Sequence, residues 1–566
     1  MTASLIALLA ETLGLLRSGA RRMIRMSAAN RYPRIEIRLF SDQVDCWQLE
    51  LAQHLHGCWP GGVQILLDPK AQHISRPLLA RYVRALERVS IAASGLHVAS
   101  ESSRVPPGIV LDLTGGAQGR MSMVPPGCTA LILRSLGGDL AAQNLPFAAE
   151  TVFGAPTASV HLDFVAGHSG AEGGFVELGC WRILPERYLA TTSSILQALP
   201  RALERILRSI DWQVPTRGLK TDVSRDQRSS VQNAPRMLSF RLLGCMARGL
   251  AHRLWQDLFR HEQWTIGIAE APISAFLCAG TLPPIRWLPP RSRREYVADP
   301  FGISLPAGFL VYAERMDYLR GKGAIVALRF STPDSQPIEC RSLELRSHLS
   351  YPFLLRDGGR LLGIPENFQS NSISMFDLDQ DDPSAWRNCR VLVERFAGVD
   401  ATVFQWDRRW WLFATDHDAG PDSHLHIWHT GTPDGPWIPH LYNPVKIDAR
   451  SARPGGTPFV ADGRLFRPAQ DCSRTYGGRV VINEIIRLGP DSFEENAVAF
   501  VEPDEGSAWP DGLHTLSACG ENITLLDAKR VVFSPAASWG VARNIVRKRI
   551  AKLRGIRGSA PTGCPS

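Results

Sequence analysis

Clustered cysteine is missing from this sequence of 566 residues. Its 11 cysteines are scattered, Cys46 and Cys58 being the closest pair, and no CxxC or CxxH occurs. That excludes a disulfide framework and a paired zinc motif, and it suits a reducing compartment. No apolar run reaches the roughly 18 residues needed to span a bilayer. Neither GxSxG nor GxGxxG is present, so no serine-hydrolase elbow and no dinucleotide loop is signalled. Leu5 to Ala10, followed by Glu11, lacks a basic stretch before it and a clear cleavage site after it. It reads as an amphipathic helix rather than a signal peptide. The expected location is the cytoplasm, peripheral at the inner face of the membrane where the basic ends touch it.

Acid is the other absence, and it is local. Nine Lys or Arg follow Asp527 with no acid among them, and the first 31 residues carry five Arg against one Glu. With the whole chain at +8, the stretch between is left at about −5. A mildly acidic body with basic ends offers no groove for a phosphate backbone, so nucleic acid is not an expected partner. What the chain does have is 48 Gly, 40 Pro and 15 Trp, which disfavour a helix-only fold and suit many short strands.

The length implies two or three domains. In a domain spanning 34–205, residues 34–114 alternate strand-like pieces (IEIRLF, VQILLDP, IVLDLTG) with helical ones, Trp47, Leu51 and Leu55 sharing one face. Such alternation predicts an α/β domain with a parallel sheet. A polar linker and a helix occupy 206–255. Segments opening at Asp299, His348, Asp400, Arg453 and His514 then repeat one pattern, a polar residue, a short apolar strand, a turn and a second strand. Their separations are 49, 52, 53 and 61 residues, the length of a four-stranded blade. Five blades fit within 256–535, with each opening residue on an inner strand facing the central channel. Residues 1–33 and 536–566 are then an N-terminal extension and a basic tail.

The run GPWIPHLYNPVKIDARSARPGGTPF, followed by GRLFRPAQDCSRTYGGRVVINEI, resembles the N-terminal domain of glucosamine inositolphosphorylceramide transferases. The blades resemble the five-bladed propellers of family 43 glycoside hydrolases. In plants that N-terminal domain precedes a separate glycosyltransferase domain, and the arrangement here is similar to bacterial relatives that lack one. Residues 34–205 are similar to the formyltransferase N-terminal fold (Rossmann-like), IVLDLTG matching best. The Asn–His–Asp set that formyltransferases need has no counterpart in 116–190, where only His161 and Asp163 stand near. A scaffold or divergent binder is expected there.

Glycosidic chemistry needs carboxyl groups on both sides of the anomeric carbon. By resemblance, Asp299 matches the general base and Asp400 the carboxylate that tunes and orients it. The hydrolase acid is replaced by Gly455, which argues against ordinary hydrolysis. Glu366 could supply an acid from another blade, its alternative being a solvated strand end. Arg453, Arg467, Gln470, Asp471 and Tyr476 suit sugar hydroxyls or a phosphate-bearing group, or else form a buried staple in which Arg467 and Asp471 pair. His348 and His514 complete the substrate-binding set. His424, His426 and His429 invite a metal reading, but core or surface histidines are the commoner case, and no metal is assigned. DLDQDD at 377–382 reads as a charged turn. Trp406, Trp410, Trp411, Trp428 and Trp437 serve either sugar stacking or inter-blade packing. No cofactor is predicted, and a nucleotide-sugar donor is compatible with the arginines. In the basic tail Ala542, Val546, Ile550 and Leu553 share one side, as in a segment lying on an anionic membrane or in a solvated tail. The expectation is a carbohydrate-active, glycosyltransferase-like protein acting on a glycan or glycolipid in the channel. The alternative is a glycan-binding or assembly module whose ancestral activities are both lost.

Overall fold

The computed structural model describes residues 32–39, 43–67, 88–90, 96, 98, 108–113, 128–140, 143, 145–166, 172–210, 235–278 and 282–553. The segment RPLLARYVRALERV at 76–89, whose sequence reads as a helix, lies largely outside them. The chain divides into two compact units, Met1–Gly179 with Arg187–Cys245, and Cys180–Glu186 with Met246–Ser566.

The N-terminal unit is built on a seven-stranded sheet. Ile35–Leu39, fully buried, runs parallel to Val63–Leu67 on one side and to Ile109–Asp112 on the other. Thr129–Ser135 continues in parallel, but Thr157–Ala166 pairs with it antiparallel, so the sheet is mixed. The helix Cys46–Cys58 follows the first strand and buries Trp47, Leu51 and Leu55 at helical spacing. Gln48 Oε1 accepts from the Asp45 backbone N–H at 3.1 Å, satisfying one donor at the helix start. Asp163 is engaged by Arg134 at 2.8 Å, and the His161 ring packs edge-on against Phe175.

The C-terminal unit contains five antiparallel sheets, which we name blades I to V. Blade II comprises Glu295–Leu305, Gly308–Asp317, Lys322–Phe330 and Ile338–Leu343. Blade III comprises Ser350–Asp357, Arg360–Glu366, Ser372–Leu378 and Trp386–Glu394. Blade IV runs from Gly398–Trp406 through Arg409–Asp416 and His424–Thr430 to short outer strands, and blade V from Phe459–Ala461 to Ser492–Val501. Blade I joins the two ends of the unit. Leu516–Ala518 and Thr524–Val532 pair in sequence, and Thr524–Val532 then takes His261–Ala269 as its outer neighbour. That pairing closes the ring.

A separate apolar cluster lies between each consecutive pair of blades. Ile266, Val297 and Phe309 join I to II, Leu310, Tyr312 and Trp386 join II to III, and Phe353, Met375 and Leu412 join III to IV. Phe413, Ile427 and Leu465 join IV to V, while Phe466, Ile482 and Leu526 return from V to I. Five sheets and five interfaces form a closed five-bladed β-propeller. Alternation along each strand puts one apolar face against each neighbouring blade, which explains the short continuous buried runs. Trp410 and Trp428 are buried between III and IV with Trp437 beside them, and Trp411 lies between IV and V with Trp406. These five tryptophans are inter-blade packing.

Candidate functional site

The innermost strands of blades II, III and IV carry the same irregularity. Register shifts fall between Ala298 and Phe301, Ser350 and Phe353, and Val399 and Thr402. Within them Asp299, Tyr351 and Asp400 adopt φ of 52°, 41° and 52°. A left-handed conformation at a non-glycine residue is unfavourable, and three in equivalent places show that the bulge aims these side chains. His348, expected at this position of blade III, instead precedes the strand. Its Nδ1 accepts from the Gly323 backbone N–H at 2.8 Å, and Tyr351 takes the inner place. A polar residue three positions early had set the repeat in the wrong phase.

Carboxylates hold the bulges. The Asp299 N–H donates to Asp527 Oδ2 at 2.9 Å, the Tyr351 N–H to Asp299 Oδ2 at 3.2 Å, and the Asp400 N–H to Glu366 Oε2 at 3.1 Å. Glu366 is buried rather than a solvated strand end. Tyr351 Oη lies 3.0 Å from Thr402 Oγ1 and accepts from the Gly456 N–H at 2.8 Å. Asp527 and Tyr351 were not singled out in the sequence, and neither was Glu314. Glu314 stands 52 positions before Glu366 and pairs with Ala298 as Glu366 pairs with Ser350, so the repeat itself marks it.

Two cations face these acids. Arg453 Nε and Gln470 Nε2 each donate to Asp400 Oδ2 at 2.6 Å. Arg453 also reaches Asp422 at 3.2 Å and stacks over the Tyr476 ring at 4.9 Å. His514 places Nδ1 2.8 Å from Asp527 Oδ2 and Nε2 3.4 Å from Asp299 Oδ1, its ring stacked on Trp264 and edge-on to Tyr476. Gly477 follows Tyr476 with φ 54°, and a Cβ there would meet Trp264 at 2.8 Å and His514 at 2.9 Å, so this approach requires glycine.

Asp299, Glu314, Glu366, Asp400 and Asp527 are all buried, against Arg453 and His514. The imbalance is visible in their proton affinities. Burial, offset by His514 but aided by Asp527 and Asp400, pushes Asp299 up to about 6. Burial and the Glu366 carboxylate push Asp400 to about 7 despite Arg453. Burial together with Asp299, Glu366 and Asp400 raises Glu314 well above the usual range. Glu314 Oε1 accepts no hydrogen bond among the described residues; His348 Nε2 lies 3.5 Å away, but burial holds that ring down at about 4 and so uncharged near neutral pH. At His514 burial works against the charged ring, but Asp527 and Asp299 outweigh it and its affinity is raised.

Arg467 and Asp471 do not pair. Arg467 donates to Glu495 at 2.7 and 3.0 Å and to the carbonyls of Ser451 and Ala452, a fully buried staple within blade V and its entry loop. Asp471 pairs with Arg479 at 2.9 Å and accepts from Ser473. Asp299, Glu366, Asp400, Arg453, Gln470, Tyr476 and His514 therefore come together, while Arg467 and Asp471 stand apart and His348 approaches only through Glu314. His424 contacts Ser423, His426 packs with Phe396 and His429 with Trp411. Asp377 of the charged turn is tied to Arg390. Two groups of described residues bring three potential metal donors within 4.8 Å, Asp299 with His514 and Asp527, and His54 with Cys58 and Glu204. In the second, Arg208 already occupies Glu204 at 2.8 Å.

These features define the class as a five-bladed β-propeller with a ring of buried carboxylates on its inner strands. Residues 291–515 match the family model of glucosamine inositolphosphorylceramide transferase 1, N-terminal, and the sequence resemblance holds over that segment. Glucosamine inositolphosphorylceramide transferase 1 of Oryza sativa subsp. japonica is 35% identical over 153 residues, 26% of this chain and 20% of the relative. The Arabidopsis thaliana protein of that name is 34% identical over 215 residues, 36% of this chain and 28% of the relative. The chain thus spans under a third of the curated relatives it matches. Among solved structures, a thermostable family-43 glycoside hydrolase is similar at 15% identity and TM-score 0.30, over 36% of this chain and 76% of that one. The catalytic domain of a Coprinopsis cinerea GH62 α-L-arabinofuranosidase is similar at 13% identity and TM-score 0.33, over 48% and 98%.

Proposed function

We propose that the propeller is a carbohydrate-active, glycosyltransferase-like module that takes a glycan or glycolipid head group at the carboxylate ring. The observation that carries this reading is the excess of buried acid over Arg453 and His514. Carboxylates accept from sugar hydroxyls, and uncompensated ones favour a sugar bearing an ammonium group. The matched relatives carry glucosamine, an amino sugar, in their name, which supports that choice. Asp299, with a proton affinity of about 6, is suited to take the proton of an acceptor hydroxyl near neutral pH. Asp527 acts through His514 to orient it, and Arg453 with Gln470 fixes Asp400 beside it. Gly455 leaves no acid where a hydrolase would use one, which supports transfer over hydrolysis.

The second reading, a recognition module without turnover, is favoured by one observation. Both donors on Asp400 Oδ2 come from the protein itself. For the N-terminal unit we propose a formyltransferase-like scaffold, supported by its four parallel strands. A glycan and nucleotide-sugar array on wild type, Asp299→Asn and Asp400→Asn tests the function. Turnover on an amino-sugar substrate that disappears in both variants supports the transferase. Binding that survives both without turnover supports the recognition module, and no binding to any carbohydrate overturns both.

A further inference from the structure

The helix Pro235–Phe259 leaves large apolar side chains uncovered beyond residue 246. At 100° per residue, Leu250, Leu254, Trp255 and Phe259 fall on one half of its surface and His252, Arg253, Gln256 and Asp257 on the other. The apolar half is left uncovered, with Leu250 and Leu254 each 53% exposed and Trp255 56%, while His252 and Gln256 of the polar half are exposed as well. The Phe259 ring meets Trp255 at 4.5 Å and Phe533 at 6.1 Å, and Phe533 is itself half-exposed. The helix Pro535–Leu553 starts just after it and is held in place. Ser538 Oγ donates to the Leu258 carbonyl and lies 3.0 Å from His261 Nε2, and a Cβ on Gly540 would meet the Tyr318 carbonyl. Trp539, between these anchors, is 67% exposed. Trp255, Phe259 and Phe533 are therefore joined ring to ring, and the helix that carries Trp539 is anchored to the propeller unit beside them.

Its surroundings are basic. Arg260 and Arg543 are exposed beside it, and Arg293 reaches the Phe533 carbonyl at 3.5 Å. The rest of the second helix adds Arg547, Lys548, Arg549 and Lys552 in its sequence, with no acid. A protein partner for such a surface would need matching acids around an apolar centre. An anionic bilayer supplies both at once, with tryptophan at head-group depth and arginine on the phosphates. Among the described residues no helix is long and apolar enough to cross a membrane.

We propose that this aromatic patch docks the propeller unit onto an anionic lipid surface in the plane of the interface. The contact is independent of the sugar reading. The test is sedimentation of the full chain with vesicles of phosphatidylcholine alone and of phosphatidylcholine with phosphatidylglycerol. Wild type should sediment with the anionic vesicles and not with the neutral ones. The Trp255→Ser/Trp539→Ser and Arg260→Glu/Arg543→Glu variants should each partition roughly tenfold more weakly, with circular dichroism and melting unchanged. Equal partition of wild type and both variants overturns the proposal. So does failure of wild type to bind, or a dimer in solution that the tryptophan variant alone dissociates, since a second copy would then cover the patch.

Discussion

Arg453 and Asp400 are 53 residues apart in sequence and 2.6 Å apart in space, joining the entry of blade V to the inner strand of blade IV. Both are buried, so neither charge is tolerable alone. Arg453→Met should destabilise the unit by about 3–5 kcal/mol, less where Asp400 takes up a proton. Asp400→Asn combined with Arg453→Met should cost less than the two single losses together. Urea titration of the four proteins measures the coupling. Additive losses would show that the pair does not act as a unit.

Asp299 and Asp400 should make the protein less stable as pH rises. Both are raised, to about 6 and about 7, so from about pH 4 upward the folded state retains protons that the unfolded chain has released. Stability falls through that window and levels off above the folded values. His514, also raised, is lost in the same direction at higher pH. Asp299→Asn should flatten the slope by an amount on the order of 3 kcal/mol across the window. Denaturation midpoints between about pH 4 and about pH 8 check it, and an unchanged slope in the variant contradicts the assignment.

The Arg467 staple should behave oppositely. Burial opposes the charge on Glu495, but Arg467 and Lys446 outweigh it and hold the carboxyl at about 2. Its contribution is complete above about pH 4.5 and is lost as pH falls toward 2. Arg467→Met should cost up to about 3–5 kcal/mol at neutral pH, less to the extent that Lys446, 2.8 Å from the buried Glu495, keeps that carboxylate paired. Carbohydrate binding per folded molecule should be unchanged, because Arg467 does not reach the ring. A binding loss exceeding the folded-fraction loss would return Arg467 to the site.

Much of this was legible in the sequence because a propeller writes its blades as a repeat. Spacings near 50 residues and paired short apolar strands around a turn located the inner strands of blades II to V. The closure of blade I was not legible, since His261–Ala269 pairs with Thr524–Val532 and carries no repeat signal of its own. Polarity misled at His348, where the inner position belongs to Tyr351, a largely apolar residue that buries its hydroxyl on Thr402 and Gly456. Conversely, Arg467 looked like a ligand because the sequence does not reveal that Glu495, on the outer strand of the same blade, comes to meet it.

Tyr351→Phe tests that inner position. The substitution removes the acceptor for the Gly456 N–H, leaving a buried backbone donor unmatched at a cost of about 1–3 kcal/mol. Since Tyr351 reaches from blade III to blade V, the loss should also loosen the ring. Amide exchange at Gly456 should accelerate beyond the global change. Exchange that follows global stability alone would show that the hydroxyl does not hold the blades together.

Gly455 offers the sharpest test of why ordinary hydrolysis is not expected. The sequence resemblance to family 43 hydrolases implies that their acid would stand there, and Gly455→Glu puts that expectation to the test. The site does not admit an acid there without movement. A Cβ on Gly455 would lie 2.8 Å from the His514 carbonyl oxygen and 3.0 Å from the Ala469 carbonyl carbon, both backbone. Gly455 is also held on both sides, its N–H donating to Pro468 O at 3.1 Å and its carbonyl accepting from the Leu516 N–H at 2.8 Å. Gly455→Ala alone should therefore destabilise the unit by about 1–3 kcal/mol through backbone displacement. Gly455→Glu should cost more, by adding a further acid beside a ring that already has too many, and should yield no glycosidase activity. Hydrolysis of an aryl glycoside by Gly455→Glu, in a stably folded protein, would show instead that one missing carboxyl is all that separates this propeller from a hydrolase.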